Sequence, residues 1–133
     1  MAEEFLKQYQ ILLKKAIVDF NAAKIILTSF EEGKIELDLE IIMFHLQQAT
    51  EKLIKCVLDF NKIKFPHSHD LRELSNILND HNIKIKNIEP LIPLSIYSVN
   101  GRYGIIQDDL NDVEKYIELV EKLLSFVKIS IND

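Results

Sequence analysis

The sequence has few of the residues that break helices or cross-link a chain. Its 133 residues include one cysteine, three prolines, three glycines and no tryptophan. A single thiol excludes an intramolecular disulfide. So few turn-forming residues argue against a β-sandwich or barrel, which needs many turns. These absences favour a few long helices joined by short connections.

An excess of positive charge is also missing. Sixteen Lys and Arg stand against 21 Asp and Glu, which gives a net charge of −5. Strong non-specific binding to a nucleic-acid duplex is therefore not expected, although a local basic patch is compatible with this balance. No apolar run approaches the ~18 residues of a membrane span. The N-terminus carries two early acids and does not resemble a secretory signal. We predict a soluble, cytoplasmic protein with no membrane partner.

Apolar residues recur with the three-to-four-residue period of an amphipathic helix over most of the chain. This period predicts four main helices, at about residues 3–29, 37–60, 68–80 and 108–128. A short further helix is predicted at about 90–99, where Pro90 suits a first turn and Pro93 is less favourable. We predict an all-α fold, an up-and-down bundle of four main helices plus one short helix, as a single domain over residues 1–133.

Polar side chains that could bind a ligand concentrate on the second helix. Gln47, Gln48, Glu51, Lys52 and Lys55 lie on or beside its polar face. The Glu51–Lys55 spacing suits an i, i+4 ion pair that contributes only a few tenths of a kcal/mol. The pattern alone favours a solvent-exposed helix face rather than a site.

The four histidines raise the question of a metal site. His67 and His69 are close in sequence, but a metal needs three or four converging ligands, usually with a carboxylate or thiolate among them. Helix capping and packing are the better interpretation of His69. Cys56 falls on an apolar stripe and is expected to be a buried core thiol. We predict no metal, no cofactor and no catalytic residue.

Arg102 and Tyr103, between two glycines, form the other candidate site. A guanidinium presents a fork of donors that matches phosphate oxygens, and the tyrosine ring could stack on a base. The alternative is a structural arginine that pairs with an acid such as Glu51 or Asp19. No phosphate-binding glycine-rich loop, nucleophile elbow or CxxC pair is present.

Taken together, these segments resemble the HEPN family of small helical bundles. The resemblance spans nearly the whole chain, and its specificity lies in the order and spacing of four pieces. These are Asp19-Phe20-x-x-Ala23, Phe44-His45-x-Gln47-Gln48-Ala49-x-Glu51-Lys52-x-x-Lys55, Phe65-Pro66-x-x-His69-Asp70-Leu71 and Arg102-Tyr103.

The resemblance implies several activities. Many HEPN proteins are toxins that cut RNA without a metal, using an Arg and a His separated by four to six residues and paired across a dimer. Others resemble the substrate-binding partner of a minimal nucleotidyltransferase, and some are proposed to bind nucleotides. This sequence departs from the nuclease pattern, because Gln107, Asp108 and Asp109 occupy the positions where the histidine would follow Arg102. General acid–base cleavage then lacks its usual proton carrier.

The resemblance and its departure together favour a binding module over an enzyme. We predict a homodimer that binds a nucleotide, a phosphate group or RNA, or a minimal nucleotidyltransferase in a toxin–antitoxin-type system. The predicted ligand-binding residues are Arg102, Tyr103, Gln48, Glu51, Lys52, Lys55 and His69. A ribonuclease toxin with a divergent site, using His69 or His45, and a structural dimer without a ligand are the alternatives.

Overall fold

The computed structural model of the chain describes residues 6–34, 39–98 and 110–132. Within these ranges every regular element is a helix, in the order α1 (Gln8–Glu31), α2 (Leu39–Phe60), α3 (Leu71–Asp80), a 3-10 helix (Glu89–Tyr97) and α4 (Leu110–Ile131). The helices pack as a bundle, which confirms the predicted all-α fold. Residues 83–88, between α3 and the 3-10 helix, contain no strand.

Helix α2 lies at the centre of this bundle. It contacts every other helix, and its longest contact is with α1. From Ile42 to Phe60 none of its side chains is fully exposed. Its core face carries the apolar stripe that the sequence predicts, including Leu46, Leu53 and a completely buried Cys56. Polar residues on such a helix also lose contact with water, so they need partners inside the protein.

Three helices end in the same hydrogen-bonding motif with different residues at its left-handed position. That position has a positive φ and is held by Gly33 after α1, Lys62 after α2 and Asn82 after α3. After α2, the Lys62 N–H donates to the Asp59 carbonyl and the Ile63 N–H to the Leu58 carbonyl, each at 2.9 Å. Glycine and asparagine are common at this position, whereas lysine is not.

The short helix differs in type from the other four. Residues 89–97 form a 3-10 helix rather than an α-helix. Pro93 lies inside it and Pro90 in its first turn. Pro93 lacks the N–H that an α-helix would use at this position, whereas Pro90 in the first turn loses no such bond, and the segment takes the tighter 3-10 form. Even so, Leu91 and Leu94 are completely buried and join this segment to the core.

Candidate functional site

The polar face of α2 is largely buried, so the prediction of a solvent-exposed helix face was wrong. Gln47 is fully buried and Glu51 is 4% exposed. The chain returns over this face after α2 ends, and the backbone carbonyl of His69 accepts a hydrogen bond from Gln47 Nε2 at 3.2 Å. Periodicity shows which side chains share a face, but not which later segment covers that face.

Glu51 lies at the centre of a network that we call the Glu51 cluster: Gln47, Gln48, Glu51, Lys55 and His69. Glu51 Oε1 accepts from Gln47 Nε2 at 3.1 Å and lies 2.9 Å from His69 Nδ1. Glu51 Oε2 accepts from Lys55 Nζ at 3.0 Å. Gln48 Nε2 donates to Gln47 Oε1 at 2.7 Å. Both carboxylate oxygens are therefore occupied.

The pKa of Glu51 reflects two opposing effects. Burial disfavours the charged carboxylate and by itself would raise the pKa. Hydrogen bonds from Lys55, His69 and Gln47 outweigh burial, and the pKa of Glu51 lies below its ordinary value. Glu51 is therefore a fully hydrogen-bonded anion at neutral pH and a weak proton acceptor.

A second polar cluster joins α2 to α1. Asp19 of α1 accepts from Lys52 Nζ at 2.5 Å through Oδ2, and its Oδ1 lies 3.2 Å from His45 Nδ1. We call Asp19, His45 and Lys52 the Asp19 cluster. All three side chains are partly or largely shielded from solvent. These pairs fix the register of α1 against α2 at a polar point of their contact.

The predicted site residues therefore fall into three groups. The structure brings Gln48, Glu51, Lys55 and His69 into the Glu51 cluster, while Lys52 belongs to the Asp19 cluster. Arg102 and Tyr103 lie outside the described residues. Glu51 and Asp19 are the two acids considered as ion-pair partners of Arg102. Each of them pairs with another residue of the described chain.

The predicted set of ligand-binding residues omitted Gln47, Asp19 and His45, although Gln47 was placed on the polar face of α2 and His45 was considered for a ribonuclease. Gln47 stands one turn before Glu51, so an i, i+4 search for polar pairs would have found it. Asp19 and Lys52 are 33 residues apart, and no local spacing predicts their contact. Asp19 and His45 do belong to the pieces that carry the HEPN resemblance.

The histidines do not converge. His45 contacts Asp19, His69 contacts Glu51, and His81 ends α3 with Nδ1 2.9 Å from the Ile77 carbonyl. Among residues 6–34, 39–98 and 110–132, no three His, Cys, Asp or Glu side chains are grouped as metal ligands. Asp70, not His69, caps α3, accepting from the Arg72 N–H at 2.9 Å.

The pKa of Cys56 is raised by burial to about 12, so its thiol is not a reactive nucleophile.

Comparison with known proteins places this helical bundle in a family. The HEPN domain model matches residues 9–130, and the chain belongs to the HEPN family. A crystal structure of ST0689, an archaeal HEPN homologue, is similar in fold, with a TM-score of 0.66 and 21% sequence identity over 96% of this chain and 100% of that one. Comparison with curated proteins gave no match. No helix in the described part of the chain is long and apolar enough to cross a membrane.

Proposed function

We propose that this chain is a non-catalytic HEPN module that binds a phosphate-bearing ligand such as a nucleotide. One observation carries the proposal. The polar face of α2 holds a carboxylate, an amide pair and an ammonium that already satisfy one another, and the network reaches solvent at His69, which is 61% exposed. An imidazole anchored in this way offers a fixed hydrogen-bonding group, as ligand recognition requires.

The pairing of charges supports binding rather than catalysis. A general base must be free to take a proton, yet both oxygens of Glu51 are occupied and its pKa is lowered. Lys52 and Lys55 are each paired with a carboxylate. In the proposed site Glu51 is a positioning residue, while Gln48, Lys55 and His69 face the ligand. Arg102 and Tyr103 remain predicted contacts.

Calorimetric titration with AMP and ATP tests this proposal. We expect heat of binding and a raised melting temperature, because a ligand that binds only the folded state stabilises it. His69→Ala should weaken binding, whereas His81→Ala, at the end of α3, should leave it unchanged. No heat and an unchanged melting temperature with every nucleotide would remove the proposal.

The partners remain part of the proposal. We propose that the chain forms a homodimer, and three exposed apolar residues seven positions apart on α1, Ile11, Val18 and Ile25, supply the spacing of a helix–helix seam. Light scattering should give twice the chain mass for the wild type and a smaller mass for Val18→Glu.

We further propose a minimal nucleotidyltransferase as a second partner, and co-purification with such a protein encoded nearby is its test.

The contact between Glu51 and His69 favours one alternative, a ribonuclease. A carboxylate that orients an imidazole is a common arrangement in acid–base catalysis, and the His69 ring is exposed. Inducible expression of the wild type and of His69→Ala, with analysis of total RNA, separates the two functions. Growth arrest and RNA cleavage by the wild type alone would support the nuclease, and equal growth with intact RNA would eliminate it.

A further inference from the structure

A groove lies beside the Glu51 cluster, at the opposite end of the α1–α2 pair from their connection. It is bounded by the first turn of α1, the last turn of α2 and the segment that follows α2, and its volume is about 710 Å³. Drug-sized and cofactor-sized ligands occupy pockets of roughly 300–1,000 Å³. The groove is therefore large enough for a nucleotide.

The charge of this groove is opposite to that of the whole chain. Lys7, Lys62 and Lys64 line it, and among the described residues that line it Asp59 is the one carboxylate. Within the described chain none of these lysines forms an ion pair, in contrast to Lys52 and Lys55. Three exposed ammonium groups without anionic partners in a protein of net charge −5 point to an anion supplied from outside.

Lys62 strengthens this inference because its backbone has the left-handed conformation, which favours glycine or asparagine over lysine. It occupies the left-handed position after α2 with a φ of 59°, where glycine follows α1 and asparagine follows α3. A side chain with a Cβ is strained there, because its Cβ crowds the following carbonyl oxygen. No contact within the described chain uses the Lys62 ammonium, so the fold alone gives no reason for a lysine.

The remaining surface of the groove is aromatic. Tyr9 and Phe60 meet edge to face, with ring centroids 5.1 Å apart, and Phe65 lines the same groove. The Lys55 ammonium lies 5.7 Å from the centre of the Phe65 ring, so the groove adjoins the Glu51 cluster. Aromatic rings beside cations are the combination that binds a base together with its phosphate.

We infer that this groove binds a nucleotide unit, with phosphate on Lys7, Lys62 and Lys64 and the base against the aromatic rings. The inference rests on the proposed function, because it adds a phosphate- and base-binding groove beside the Glu51 cluster, where that proposal places the ligand. Free mononucleotides and single-stranded RNA share this chemistry, and the binding experiment distinguishes them.

The test compares two matched double variants. Lys62→Gln with Lys64→Gln removes two charges from the groove and keeps most of the side-chain length. Lys84→Gln with Lys86→Gln removes two exposed lysines at the same spacing outside the groove. Each protein, checked for folding by circular dichroism, is titrated with AMP, ATP and a fluorescent single-stranded RNA of eight nucleotides. Inorganic triphosphate serves as a competitor.

We expect the groove variant to bind about tenfold more weakly and the control variant to bind like the wild type, because each exposed lysine–phosphate contact contributes modestly. Tighter binding of RNA than of AMP or ATP would identify RNA as the source of the nucleotide, and the reverse order would identify the free nucleotide.

Four results would count against the inference. Equal losses in the two double variants would assign the effect to overall charge. Unchanged binding in the groove variant, with loss in His69→Ala, would place the ligand at the Glu51 cluster and keep the proposed function. Competition by triphosphate as strong as that by ATP would remove the aromatic subsite. Failure of the wild type to bind any probe would remove the inference and the proposed function together.

Discussion

The Glu51 cluster and the basic groove are adjacent regions that differ in how their charges are paired. In the cluster, Glu51 is buried and its two oxygens are occupied by Lys55, His69 and Gln47. In the groove, Lys7, Lys62 and Lys64 are exposed and form no ion pair within the described chain. Buried charges must be paired to be tolerated, whereas exposed ones need no partner for folding. The comparison assigns the buried Glu51 carboxylate to the fold, and the exposed His69 at its edge and the basic groove to a ligand.

The largest expected effect is that of Glu51→Ala. The substitution leaves Lys55 partly buried without its anion and removes an acceptor from Gln47 and His69. We expect the free energy of unfolding to fall by about 3 kcal/mol, because breaking a buried pair leaves an uncompensated charge. Urea denaturation measures the loss.

Another pair on α4 supplies the control for this prediction. Glu118 and Lys122 have the same residue types and spacing as Glu51 and Lys55 but lie at the surface. Glu118→Ala should lower the free energy of unfolding by no more than about 0.5 kcal/mol, as exposed helix pairs do. Similar losses in the two variants would contradict the structural role of the Glu51 cluster.

The second effect concerns the contact between α1 and α2. Asp19→Ala removes the partner of Lys52 and of His45. The site is less buried than Glu51, and we expect the free energy of unfolding to fall by about 2 kcal/mol. Chemical denaturation measures this change. A loss within experimental error would mean that apolar packing alone sets the register of the two helices.

The third effect is a change in pH dependence. The pKa of Glu51 is lower in the folded than in the unfolded chain, so the unfolded chain binds more protons in acid and stability rises with pH. The stabilisation by Glu51 is complete above its ordinary pKa of 4.5 and is lost as the pH falls through the lower folded value. Glu51→Gln should remove this part of the acid sensitivity. The free energy of unfolding is measured for both proteins between about pH 3 and 7. An equally steep decrease with falling pH in both would contradict the assignment.

The smallest effect has the opposite sign. Lys62→Gly relieves the left-handed backbone after α2 and should raise the free energy of unfolding by about 0.5 kcal/mol, because the larger chain entropy of glycine offsets part of the relieved strain. Asn82→Gly, at the equivalent position after α3, should change stability less, because asparagine tolerates this conformation. Equal changes would show that Lys62 is not strained.

Local patterns predicted the helices and one contact of the site, but not the groove. The apolar period located the four main helices, Pro90 indicated the short one, and the i, i+4 spacing of Glu51 and Lys55 predicted their ion pair. The burial of that pair depends on His69 folding back over α2, 18 residues later. The groove brings Lys7 close to Lys62, and their separation along the chain leaves no periodic signal. Contacts of this kind depend on how whole helices pack, which a local pattern does not encode.

The most direct test is the melting temperature of Lys62→Gly with Lys64→Gln, measured with and without ATP. If the unpaired lysines of the groove bind a ligand and destabilise the fold, the variant will have a higher melting temperature than the wild type in buffer. Its melting temperature will then rise less than that of the wild type when ATP is added. An ATP-induced rise as large as that of the wild type would contradict the division of roles between groove and cluster.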